Sequence, residues 1–83
     1  MGLKEERVRL RGILAEKKIA LKDLKIKADG LVISLRMNLD PYKDIAELPA
    51  EIIASQANEL ANTILMAKEL AREIKKMEDE LGS

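Results

Sequence analysis

Apolar residues recur along most of the chain at alternating spacings of three and four, and one cluster of turn formers divides them into two stretches. In the second stretch they fall at Ala50, Ile53, Ala57, Leu60, Ile64, Ala67, Ala71, Ile74 and Leu81, with only Glu78 out of pattern. That is a heptad seam, and no Gly or Pro interrupts it. Ala61, Leu70 and Met77 flank the seam and widen the apolar stripe. In the first stretch Leu3, Leu10, Leu14, Leu21, Leu24, Ala28, Leu31 and Leu35 form a matching seam, with Lys17 as its polar member. Between them lies Asn38-Leu39-Asp40-Pro41-Tyr42-Lys43-Asp44, a run rich in turn formers. Asp44 and Glu47 have capping-box spacing, and Pro49 suits the first turn of a helix better than its interior. Residues 45–48 therefore read as a separate short turn, and Gly82 as a helix stop.

The first stretch has a competing reading. Leu24, Ile26 and Ala28 alternate up to Asp29-Gly30, and Leu31, Ile33, Leu35, Met37 and Leu39 alternate after it, which is a β-hairpin signature. Against it, the helical seam keeps its phase from Leu10 through Leu35. The first of these strands has little β-branching, and a lone two-stranded ribbon lacks a sheet to join. Helix is the favoured reading, although Gly30 and Gly12 would each cost it about 1 kcal/mol.

The pattern predicts an all-α, antiparallel helical hairpin in a single domain, residues 1–83, with helix 3–39, turn 40–48 and helix 49–81. A register centred on Asp44 sets Leu21 against Ala67, Ala28 against Leu60, Leu31 against Ala57 and Leu35 against Ile53, mostly large against small. Its weak layer is Leu10 against Glu78. A register shifted by one heptad is also possible. Two helices side by side bury little in a chain this small, so the wide stripes imply a homodimer, most simply a four-helix bundle. The residues expected along that oligomer seam are Leu14, Leu21, Leu24, Leu31, Ile53, Ala57, Leu60, Ile64, Ala67 and Ala71.

Composition narrows the chemistry. The 83 residues include no Cys, no His, no Trp, no Phe and one Tyr. Disulfides, thiolate metal sites, thiol nucleophiles and imidazole mechanisms are excluded. The hydroxyls Ser34, Ser55, Thr63 and Tyr42 have no His to activate them. Carboxylate pairs recur at Glu47/Glu51 and Glu69/Glu73, but bundle di-metal sites use Glu-x-x-His. The expectation is a protein that is no enzyme and binds neither cofactor nor metal. No apolar run approaches the ~20 residues of a membrane span. A cytoplasmic protein with no membrane association is expected.

Net charge is zero, yet residues 1–39 carry ten Lys/Arg against five Asp/Glu, and residues 40–83 carry five against ten. An antiparallel hairpin would lay these halves together, with the acidic tail Glu78-Asp79-Glu80 facing the basic segment Lys4–Arg11. The basic half is also a candidate for nucleic acid, through Arg7, Arg11, Lys18, Lys22 and Lys25. Small homodimeric RNA-binding hairpins look similar in layout, but this chain has no DNA-binding motif and no Phe or Trp for base stacking.

One feature is out of place on a surface helix. Ile19, Ile26 and Ile33 recur every seven residues opposite the seam, with Val8 and Ala15 nearby. They could dock a partner helix, be buried in the homo-oligomer together with Ile52 and Met66, or face the core if the β reading holds.

The stretch Leu35-Arg36-Met37-Asn38-Leu39-Asp40-Pro41-Tyr42-Lys43-Asp44-Ile45-Ala46-Glu47-Leu48, followed by a long Ala/Leu/Glu helix, resembles small helical-hairpin proteins of Mu-like prophages. The resemblance implies the same architecture and brings no catalytic or binding residues with it. Together these observations favour a helical oligomerisation or protein-interaction module, adaptor or regulatory, acting through helix–helix contacts. A homodimeric nucleic-acid-binding protein is the alternative.

Overall fold

The structure, a computed structural model, describes residues 2–82. It is a hairpin of two long helices, α1 (Leu3–Asn38) and α2 (Ala50–Glu80), packed against each other along their length. A single 3-10 turn (Ile45–Glu47) lies between them, and no strand occurs among the described residues. The β reading of residues 24–37 is overturned: the helix runs straight through Asp29 and Gly30. The continuous seam outweighs the local Asp-Gly signal because a helix buries that seam against α2, whereas a two-stranded ribbon would have no sheet to cover it.

α1 starts without a side-chain cap. Its first turn is served by the Gly2 carbonyl, which accepts from Glu5 N–H at 3.2 Å, and by Glu5 and Glu6 near the positive end of the dipole. It ends because Pro41 disfavours helical backbone at Asp40. The turn is then closed twice by Asp40. Its carbonyl accepts from Lys43 N–H at 3.2 Å, and its Oδ1 accepts from Tyr42 N–H at 2.9 Å. Asp44 does not form the capping box its spacing suggests, since no side-chain cap bond is made there. Its carbonyl instead accepts from Glu47 N–H at 2.8 Å, turning residues 45–47 into a 3-10 turn. Pro49 precedes α2 and needs no N–H there, and its carbonyl accepts from Ile53 N–H at 2.9 Å. Gly82, with φ +72°, follows α2 in left-handed backbone that a Cβ would strain.

Cross-helix partners fix the register. Lys17 meets Glu73 at 2.7 Å and Lys27 meets Glu59 at 3.3 Å, pairs that centre within a residue of Asp44, while Lys18–Glu78 and Asn38–Gln56 centre three to four residues beyond it. The register shifted by a heptad is excluded. The supposedly weak layer resolves differently from the simple pairing. Leu81 is buried with Leu14 and Ile74, Leu10 packs against this cluster, and Glu78 turns to Lys18 at 3.4 Å.

The contact face of α2 is rotated from the sequence seam. Ile53, Leu60, Ala67, Ile74 and Leu81 face α1 as expected, but their companions are Gln56, Thr63, Leu70 and Met77. Ala57, Ile64 and Ala71 are exposed. The cause is visible in side-chain size. Leu70 and Met77 give the pair more buried area than the alanines would, and Thr63 is absorbed by donating its hydroxyl to the Glu59 carbonyl at 2.8 Å.

Candidate interaction surfaces

The Cα trace measures 66 × 18 × 14 Å, so the molecule is a single layer of two helices with nothing covering either side. Among the described residues, only Leu14, Ile74 and Leu81 are buried apolar side chains, at 8%, 6% and 9% exposure. They sit at the open end of the hairpin. At the loop end the helices are joined by a polar latch instead. Asn38 Nδ2 donates to Gln56 Oε1 at 2.8 Å, and Gln56 Nε2 donates to Ser34 Oγ at 2.6 Å. All three are half-buried, so each bond replaces water that the site partly excludes. Sequence reading missed this latch. Its signal was present, since Ser34, Asn38 and Gln56 fall at seam-flanking positions where apolar residues belong.

Two open grooves run along opposite sides of the helix pair at the same height. One, of about 310 Å³, is lined by Leu21, Leu24, Ala28, Ile64, Ala67 and Ala71, with Lys25 and Lys68 on its rim. The other, of about 570 Å³, is lined by Ala20, Leu24, Met66 and Leu70 together with Asp23, Lys27, Glu69 and Glu73. The first groove therefore has an apolar floor and a basic rim, and the second a mixed, mainly acidic one. The sequence seam residues that the hairpin leaves exposed, Ile64 and Ala71, lie in the basic-rimmed groove.

A third surface is the back of α1. Ile19, Ile26 and Ile33 are 62%, 61% and 60% exposed, and Val8 and Met37 share the row with comparable exposure. Helical spacing places Gly12 and Gly30 in the same row, both exposed, and a Cβ built on either would meet nothing within 4 Å. The hairpin itself has no use for these glycines.

The basic residues Arg7, Arg11, Lys18, Lys22 and Lys25 are all exposed on α1, and helical spacing sets them along one edge between the back row and the basic-rimmed groove. Lys18 is engaged with Glu78. Of the carboxylate pairs, Glu73 holds Lys17, which carries the polar position of the α1 seam across to α2. Among the described residues no helix is long and apolar enough to cross a membrane.

The fold is an all-α helical hairpin whose exposed features are two grooves and a row of apolar side chains. No protein-family model matches the chain, and no curated protein or solved structure is significantly similar to it.

Proposed function

We propose that this protein is a non-catalytic helix–helix interaction module that first self-associates, two hairpins closing into an antiparallel four-helix bundle across the basic-rimmed groove. The observation that carries the reading is unmet burial. A compact 9.3 kDa monomer exposes about 5,000 Å² by the usual size scaling, whereas this chain exposes 6721 Å². The excess, roughly 1,700 Å² per chain, is ample for a stable dimer interface. The groove floor supplies the means. Its small residues, Ala28, Ala67 and Ala71, let helices approach closely, while Leu21, Leu24 and Ile64 supply the area.

The same apolar floor weighs against nucleic acid as the main ligand, because phosphates want cations and water rather than alanine and leucine. Sedimentation equilibrium over a concentration series tests the proposal. The expected result is a dimer, shifted towards monomer by Ala71→Arg, a change at a position the hairpin leaves exposed. A wild-type chain that stays monomeric and fully helical throughout would overturn it.

A further inference from the structure

The bundle accounts for the groove but leaves the back of α1 uncovered. That face lies opposite the seam and carries Ile19, Ile26, Ile33 and Met37 in one exposed row. Isolated surface leucines or isoleucines are ordinary, but these four hold one register over about five turns and make an apolar row edged by Lys22. Gly12 and Gly30 lie in that row. Each costs an exposed helix about 1 kcal/mol relative to Ala, and neither relieves a contact within the chain, since an added Cβ would meet nothing within 4 Å. Glycine between large side chains makes a hole on a helix surface, the shape that receives a large side chain from a facing helix.

Charge selects the kind of helix. One edge of the strip carries Lys18, Lys22 and Lys25, and among the described residues neither Lys22 nor Lys25 makes an ion pair. Up to residue 39 the chain holds ten Lys/Arg against five Asp/Glu. A second copy of α1 would bring another net-positive helix, with the same lysine edge, onto this one.

We propose that the back of α1 is a docking strip for an amphipathic helix of another protein, with large apolar side chains that enter the holes at Gly12 and Gly30 and an acidic edge that meets Lys18, Lys22 and Lys25. The proposal extends the interaction-module reading by naming a partner chemistry, yet its apolar row lies on a face different from the dimer groove, with Lys25 between the two. The two can fail separately.

The test uses the full chain and a fluorescent synthetic peptide of about three heptads, with Leu on one face and Glu along the edge. A control peptide carries Lys in place of each Glu. Fluorescence anisotropy should show binding of the acidic peptide only, weakened about tenfold or more by Ile26→Asp. Gly30→Leu is the sharper variant. It should raise the thermal midpoint, because Leu is the better helix former and a Cβ at this exposed position meets nothing within 4 Å, while weakening the acidic peptide to a similar extent. Sedimentation of both variants should still give the wild-type association state. Equal binding of both peptides, or acidic-peptide binding untouched by Ile26→Asp and Gly30→Leu, would overturn the docking strip. So would loss of the dimer in Ile26→Asp, which would assign the strip to a second copy. Binding of duplex RNA or of anionic phosphatidylserine vesicles that depends on Ile26 while the acidic peptide fails would overturn it in favour of those ligands. A monomeric wild type that nevertheless binds the acidic peptide would sink the bundle and leave the strip standing.

Discussion

α1 carries isoleucine and leucine on two opposite faces, and the hairpin treats them in opposite ways. On the seam, Leu14 is buried and Leu10, Leu21, Leu24, Leu31 and Leu35 are half-buried. On the back, Ile19, Ile26 and Ile33 keep about three fifths of their surface in water. The residue types are equally apolar, so hydrophobicity alone does not explain where each one went. What differs is the presence of a partner: α2 covers one face and nothing in the chain covers the other. Among the described residues, α2 meets one of the two apolar faces of α1 and leaves the other in water.

That contrast can be broken or sharpened by substitution. The largest effect is expected at the buried end of the seam. Ile74→Ala should cost about 2–4 kcal/mol in urea unfolding, since it opens a cavity beside Leu14 and Leu81. The matched change on the back, Ile26→Ala, should stay within about 0.5 kcal/mol. If the two cost the same, the back row is core in the protein as it exists and the contrast is lost. Next come the glycines. Gly12→Ala and Gly30→Ala should each stabilise the helix by about 1 kcal/mol, raising the thermal midpoint, because both are helical and have open space for a Cβ.

At the loop end, Gln56→Ala removes both bonds of the latch and should cost about 1 kcal/mol, leaving Asn38 and Ser34 to partial solvent. The smallest effect belongs to Lys17→Ala. Its 2.7 Å pair with Glu73 has side chains that are 29% and 46% exposed, so screening should hold the loss to a few tenths of a kcal/mol, falling further in salt. A loss above about 1 kcal/mol there would show the seam to be more desolvated than its exposure suggests.

The two helices and their turn were legible in the sequence because each rests on a strong local signal. The three-four spacing runs the length of both stretches, and Asp40-Pro41 cannot continue a helix. The register could be narrowed to two pairings offset by a heptad, and the cross-helix ion pairs chose between them. The rotation of α2 was not legible. Spacing alone gives Ala57, Ile64 and Ala71 the same standing as Ile53 and Leu60, and only packing shows that Leu70 and Met77 fill the contact better. Gln56 and Thr63 misled in the same direction, since a polar residue reads as surface until its hydrogen bonds are seen. The exposed isoleucines were legible as an anomaly. Their independence from the hairpin, and the empty space over Gly12 and Gly30 beside them, took coordinates.

The proposed function leans on one claim: a single hairpin buries too little, and a second completes it. Thermal unfolding followed by circular dichroism across a hundredfold range of protein concentration tests that claim most directly. Association makes the folded state depend on mass action, so the midpoint should climb steadily as concentration rises. A midpoint that stays fixed and high over the whole range would mean that the lone hairpin is self-sufficient, and the bundle would have to be abandoned.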